Sequence, residues 1–542
     1  MSRALPRTFL LLLAISTCLL ALPANGRAAG RLMGRTTDHP DATLIVGLLS
    51  DPGTLNPLYA SSSQAKDIIG LMFLTLLREE SGFVDFRPSL AERWEFSPDR
   101  LELTFHLRRD VTWHDGAPVT ARDVEFTWEC QTDTLVSWRG RHLKDRIAAV
   151  EVIDDFTVRF RYTTVYPYQL MDANDGVILP RHLLGDIPRD RLRTCEFGRH
   201  PVGNGPYRFS RWESKQYVSL ERAPRESVDG PPEVGRIVFR IVPDMVTLLA
   251  QLRAGEIDCL ESIPPLDAVS LRRENEGLKL YTYPSRSMTF ISWNCTRAPL
   301  DNRDVRRALG MAIDRASIIE TVWHGMAEEC RSPMHPVLWA YDDSIPAIPY
   351  DPVAAVALLR AAGWEDSDGD GVLDRDGREL SLEMIANYGN QQRLDIMTMA
   401  QAQLEQIGVR IEQRVLEWNT FIERITGGNY DSCVMGWKVG TRADLKEFWH
   451  SGSTGSGGMN IAGFADPVVD AQIMKARDLV DREAARTIWH DCQRRIYQAQ
   501  PFCFLAVPYE IYALDARFAN VEPSPITFFY NIEEWRVSGA LR

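Results

Sequence analysis

Apolar and polar residues alternate with different periods along this chain, and the period changes mark its elements. Residues 43–48 form a short apolar run, closed by the turn Asp51-Pro52-Gly53, as a buried strand requires. Residues 68–77 read as an apolar helical stretch. Leu101, Leu103, Phe105 and Leu107 then alternate with Glu102, Thr104 and His106, which predicts a strand with one buried face. Thr120 and Asp123 stand in capping-box relation ahead of Val124, Phe126 and Trp128, the start of a helix. Phe156, Val158, Phe160 and Tyr162 alternate again, so this stretch is a small mixed α+β unit.

Gly203-Asn204-Gly205-Pro206-Tyr207 is a strong turn signal, read as a hinge turn. Beyond it, strand and helix alternate. Residues 237–242 predict a strand, 246–252 a helix stopped before Gly255, 257–260 a short strand, and 288–293 another apolar run. Leu394, Met397, Ala400, Leu404 and Ile407 have helical spacing, with Gly408 placed to end the helix. A strand at 409–415, a buried strand at 431–437 and two helical segments within 468–496 follow. This alternation implies α/β lobes with parallel sheet.

The N-terminus is of another kind. Arg3 and Arg7 precede an apolar run over 8–22, then Pro23 and the small residues of Ala24-Asn25-Gly26 and Arg27-Ala28-Ala29. The layout predicts a secretory signal peptide over 1–29, cleaved on export to the periplasm. Thr17 before Cys18, and an apolar run continuing past it, argue against lipid anchoring there. Eight cysteines remain after the signal, sparse for 542 residues and without any C-x-x-C, so neither a disulfide framework nor a zinc site is implied. With 45% hydrophobic residues and net charge -13, the chain is globular and lacks the cationic surface that nucleic acid requires.

Several stretches, taken in order, resemble the extracellular solute-binding proteins of family 5, the dipeptide/oligopeptide/nickel-type receptors of ABC importers. They include Pro88-Ser89-Leu90-Ala91-Glu92-Arg93-Trp94, Trp113-His114-Asp115-Gly116-Ala117-Pro118-Val119, Gly203-Asn204-Gly205-Pro206-Tyr207 and Leu252-Arg253-Ala254-Gly255-Glu256-Ile257-Asp258. Asp304-Val305-Arg306-Arg307-Ala308-Leu309, Leu404-Glu405-Gln406-Ile407-Gly408-Val409 and Tyr430-Asp431 through Gly436-Trp437 complete them. The resemblance implies an α/β fold of two-lobed, hinged, class II-like periplasmic-binding-protein architecture, with an extra α+β domain inserted in lobe I. By this resemblance lobe I comprises 42–75, 201–288 and 508–542, the inserted domain 76–200, and lobe II 289–507. It further implies a monomeric receptor without cofactor or catalysis, handing a short peptide or other small polar solute to membrane permease subunits.

In α/β lobes ligands collect beyond the carboxyl ends of strands, which places Gly436, Trp437, Lys438, Val439, Arg442 and Asp444 at a cleft. In peptide-binding relatives an Asp shortly after this Trp pairs with the α-amino group; here Gly440 stands in its place. Lys438 and Arg442 suit an acidic ligand, and Asp444 is the remaining carboxylate. The resemblance adds Ser62, Ser63 and Gln64 from the facing lobe, and Arg286 and Met288 from a crossing strand; Trp418 or Trp437 could stack on a guest. Two other readings stay open, a ligand sensor on the same scaffold and a hydrolase using carboxylates such as Asp431 and Asp444. The loop 366–374 resembles the start of a calcium loop, but the Glu of its twelfth position is Gly377, so it reads as a solvated turn with calcium open.

Overall fold

The computed structural model describes residues 42–224, 231–274, 277–455 and 458–538. The expected signal peptide at 1–29 lies outside the described residues. One long strand, Phe502–Asp515, organises the rest: its first half pairs antiparallel with Ser287–Trp293, its second with Leu278–Pro284 and Cys259–Leu260. Both lobes therefore share it. Leu278–Pro284 and Ser287–Trp293 follow each other in the chain, so two antiparallel strands pass from lobe to lobe.

A proline sits on each crossing strand at this point, Pro284 and Pro508. Neither can donate to the ladder, and the direct link is Ser285 N donating to Pro508 O at 2.9 Å. On its other edge the long strand is paired through this point by Ala327–Glu329, with Ala327 opposite Pro508 and Tyr509 N donating to Met326 O at 3.0 Å. On the first-lobe side Ala42–Leu48 runs parallel to Val234–Ile241, with Leu44 opposite Ile237 and Val46 opposite Phe239, all four buried. On the other side Ser381–Asn387 runs parallel to both Arg410–Leu416 and Ser432–Lys438. The helix Gln391–Glu405 crosses over between the first pair, as parallel strands require. Separate hydrophobic clusters lie beneath these two halves, so each half is an α/β lobe with its own core.

The expected α+β unit is present. Ala91–Phe96, Glu102–Leu107, Thr157–Tyr162 and Ile147–Asp154 form a four-stranded antiparallel sheet, and Leu103, Phe105 and Leu107 point inward as their alternation predicts. Thr120 and Asp123 cap Ala121–Thr132 reciprocally.

Two expectations change. The helix expected at 68–77 occupies Ser63–Met72, opened by Ser62, whose Oγ accepts from Ala65 N at 3.2 Å. Phe73 turns extended, and Leu77–Glu79 continues as a strand. The apolar run is buried in both conformations, so its pattern cannot mark the switch. Gly203-Asn204-Gly205 is a rigid junction rather than a hinge. Asn204 N and Gly205 N both donate to Met72 O (2.9 and 2.8 Å), and Asn204 Oδ1 accepts from Leu74 N at 2.9 Å. The two backbones touch: a Cβ on Gly203 would lie 2.0 Å from Met72 O. Replacing Gly203 by Ala is therefore expected to destabilise the chain by about 2–3 kcal/mol in urea melts. Gly440→Ala, where a Cβ meets nothing within 4 Å, should stay within about 0.5 kcal/mol of the parent.

Candidate functional site

The crossing point gathers charge from both lobes. Ser432–Lys438 lies beside Ser287–Trp293 with Lys438 opposite Ser287 and Trp437 opposite Met288, and Val439 N donates to Arg286 O at 2.8 Å. The carboxyl end of this strand thus brings Lys438, Val439 and Arg286 to the interlobe boundary. Across from them is the amino end of Ser63–Met72. There Ser62 spends its hydroxyl on the helix cap, Ser63 is exposed, and Gln64 hydrogen-bonds the Glu261 side chain.

Around Gln64 stand acids that the pattern reading passed over. Asp67, one turn along the helix, accepts from Thr527 Oγ1 at 2.7 Å. Glu261 follows the short buried strand Cys259–Leu260, and Glu510 lies on the long strand opposite Tyr283. The Lys438 ammonium acts electrostatically on both Asp67 and Glu261. Burial raises the Asp67 carboxyl to about 6 even against the Thr527 hydrogen bond and Lys438. Burial, then the like charge of Asp67, raises Glu261 to about 7 despite the Gln64 hydrogen bond. Tyr283 and Tyr512 stack beside them, rings 6.0 Å apart and 10° from parallel. Glu261 could have been found: it is beyond a strand's carboxyl end, where the rule applied to 436–444 also points.

Three expected residues have other partners. Arg442 ion-pairs with Asp172 and Asp175, at the end of the helix Gln169–Asn174 in the α+β unit. Burial opposes its charge, but the two carboxylates outweigh burial and hold it protonated. It bridges the α+β unit to lobe II instead of awaiting an anion. Asp444 Oδ2 accepts from Arg477 Nε at 2.7 Å, so it offers no free counter-charge to an amine. Met288 is buried in the lobe II core, leaving only its backbone toward Gly436.

The Trp437 ring packs 4.3 Å from both Phe448 and Phe290, part of an aromatic core rather than a platform; Trp418 remains 45% exposed. Gly436 O accepts from Arg393 at 3.2 Å. The two carboxylates of the hydrolase reading are apart in role: Asp431 is held by Arg297 and the Glu383 backbone, Asp444 by Arg477. Asp366, Asp368 and Asp370 do converge within 4.8 Å, all exposed.

Further contacts join the α+β unit to lobe II beside Arg442. Tyr168 Oη donates to Ala443 O at 2.9 Å, Arg146 pairs with Asp478 at 3.0 Å, and Arg482 donates to Val84 O at 2.8 Å. Between them is a seam of ≈480 Å³, counting its open mouth, walled by Phe83, Phe86, Met171, Trp339 and Trp489. Nearby, burial and then Asp175 raise the Glu79 carboxyl to about 7 against Arg442 and Arg286.

Two α/β lobes sharing a pair of crossing strands, with polar groups of both lobes meeting above them, define a hinged solute receptor. The chain belongs to the bacterial extracellular solute-binding proteins, family 5, whose middle-region profile matches residues 85–459. It is 30% identical over 498 residues to the oligopeptide-binding protein AppA of Bacillus subtilis (strain 168), covering 91% of each chain. The structure of Bacillus subtilis AppA with a nonapeptide matches with a TM-score of 0.72 and 29% identity, over 92% of this chain and 99% of that one. The ABC transporter substrate-binding protein CtaP of Listeria monocytogenes matches with a TM-score of 0.81 at 25% identity, over 92% and 99%. NikZ of Campylobacter jejuni, solved with Ni(L-His), matches with a TM-score of 0.72 at 26% identity, over 91% and 99%. Among the described residues no helix is long and apolar enough to cross a membrane.

Arg442→Met should strip the bridge of its cation and leave the buried Asp172 carboxylate facing the half-buried Asp175. The closed form is expected to lose roughly 2–4 kcal/mol, seen as a larger radius of gyration of the guest-free protein by small-angle scattering. A profile matching the parent would show that the bridge does not hold the lobes. Glu261 makes stability depend on pH. It ionises near 4.5 unfolded and near 7 folded, so the folded state holds the extra proton between, and stability falls as pH rises through that window. In urea melts of guest-free protein, Glu261→Gln should be more stable than the parent by about 1–3 kcal/mol at pH 8 and equal to it near pH 4.

Proposed function

We propose that the chain is the extracytoplasmic receptor of an ABC importer, closing its lobes on a peptide or peptide-sized polar solute and presenting it to membrane permease subunits. The lobes divide at the crossing strands, with 42–75, 201–288 and 508–542 on one side, 289–507 on the other, and 76–200 inserted in the first. The signal at 1–29 is removed on export to the periplasm. One observation carries this reading: two antiparallel strands, with Pro284 on one and Pro508 on the other, are the sheet's passage between lobes that put opposed charges above it.

Contacts made to both lobes exist only when the cleft is shut, so a guest shifts the population to the closed form by its differential affinity. The permease can then tell a loaded receptor from an empty one. The oligopeptide-binding AppA, at 30% identity, supports a peptide-class guest. The carboxylates Asp431 and Asp444 are each tied to a separate arginine, which favours binding over hydrolysis.

The test is direct. Mild denaturation of the purified chain should release a small molecule identifiable by mass spectrometry, chemically unchanged after prolonged incubation with the refolded protein. Scattering profiles of the emptied and refilled protein should differ by a smaller radius of gyration in the filled state. Superimposable profiles with the guest verified aboard, or a guest returned cleaved, would overturn the reading.

A further inference from the structure

Away from the cleft, where the α+β unit is set into the first lobe, lies a cavity of ≈660 Å³, counting its open mouth. The stretch after Glu102–Leu107 forms one side of it, through Val111, Trp113 and His114. Leu74, Ala223 and the junction Asn204-Gly205-Pro206 form the other. None of these residues belongs to the interlobe cleft. The wall is mostly apolar, and Arg108 at its edge pairs with Asp110, Nε to Oδ1 at 3.0 Å and Nη2 to Oδ2 at 2.6 Å. A largely apolar hollow with a few fixed polar groups is the usual make-up of a small-molecule site.

Two polar side chains of this wall are held in one orientation and left half satisfied. His114 is fastened twice to the junction: its backbone N donates to Gly203 O at 2.8 Å, and its Nε2 donates to Gly205 O at 3.0 Å. A carbonyl only accepts, so the ring proton is on Nε2 and Nδ1 carries the lone pair of a neutral imidazole. Burial lowers the pKa of the ring, which keeps Nδ1 an acceptor at neutral pH. That Nδ1 is buried and has no partner among the described residues.

Asn204 is the converse. Its Oδ1 accepts from Leu74 N at 2.9 Å, which fixes the amide's orientation. Its Nδ2 is buried without a partner among the described residues, in a side chain only 6% exposed. Since His114 bonds to the residues on either side of Asn204, an acceptor and a donor stand next to each other, each lacking its complement. Buried polar groups left unpaired are costly, and a ligand that pairs them removes the cost. Water pairs such groups one at a time and gains nothing from the apolar wall, whereas a flat amide meets both demands at once.

We propose that this cavity is a second binding site, taking a small uncharged molecule with N–H and C=O on one edge, as in a lactam or a diketopiperazine. Its N–H donates to His114 Nδ1, and its C=O accepts from Asn204 Nδ2. Its body lies against Leu74, Val111 and Ala223. The occupant touches both the first lobe and the inserted unit, so it braces their junction without entering the cleft where the guest is held.

The experiment is calorimetry on the guest-free full chain with glycine anhydride, sarcosine anhydride and acetate, alongside magnetic resonance of protein labelled at the histidine ring nitrogens. The His114 signals are assigned by their loss in His114→Gln. Glycine anhydride is expected to bind roughly ten-fold more tightly than sarcosine anhydride, whose methyl groups remove both N–H donors. It should also move the His114 Nδ1 resonance in the direction of a hydrogen-bonded acceptor. Ala223→Leu, which fills the cavity without altering a polar side chain, should weaken glycine anhydride by at least ten-fold with the circular dichroism unchanged. Before the guest is removed, parent and Ala223→Leu should carry the same co-purifying guest, so loss of this site is distinguishable from loss of the receptor.

Equal affinity for the two anhydrides, an unmoved His114 resonance, or full affinity in folded Ala223→Leu would each overturn the proposal. Acetate moving that resonance where glycine anhydride does not would overturn it too, as would no heat of binding at millimolar glycine anhydride. If Ala223→Leu does not fold, the two anhydrides and the His114 resonance of the parent decide the matter.

Discussion

The molecule depends on one shared element, the strand Phe502–Asp515, whose two halves belong to different sheets' worth of partners. A strand that is buried in both lobes cannot leave either, so the lobes stay coupled in register however they tilt. Pro284 and Pro508 lie where the strands pass from one lobe's partners to the other's, and each removes a ladder donor and fixes φ. Cores on either side are independent, with the aromatic stack of Phe290 on Phe502 (4.1 Å, 3°) in lobe II and Phe528 on Tyr512 (4.2 Å, 4°) in lobe I. Both stacks use residues of the long strand. The passage between the lobes therefore lies between two well-packed ends.

Charge then distinguishes what the closed cleft can hold. Lys438 and Arg442, four residues apart in the chain, have different fates because the α+β unit supplies Asp172 and Asp175 to one and not to the other. The arginine becomes a tie between units, its planar fork suited to two carboxylates. The lysine is left facing the acids of the first lobe. Desolvation does the rest: carboxylates buried with too few donors hold their protons to near neutral pH, as Asp67, Glu79 and Glu261 do.

Much of the architecture was legible in the chain. Alternation of period two in 101–107 and 156–162, the capping pair Thr120 and Asp123, and Gly255 after Met245–Ala254 each act through neighbours a few residues away, and all appear in place. The strand Ser432–Lys438 and its carboxyl end were legible for the same reason. Asp67, Glu261 and Glu510 were not, since 194 residues separate the first two and 249 the last two, and only folding places them around Gln64. Nor could spacing show that Trp437 would be enclosed by Phe290 and Phe448, or that Asp444 would meet Arg477.

Local sequence alone thus determined most of the elements, the α/β alternation and the family resemblance, because backbone geometry and amphipathic burial are decided within a turn or a strand; the helix-to-strand switch after Met72 was not among them. Tertiary structure alone decided which charges are neutralised and which are left wanting a partner. Coulomb energy and desolvation depend on distances through space and on exclusion of water, and neither quantity exists until distant segments have packed together.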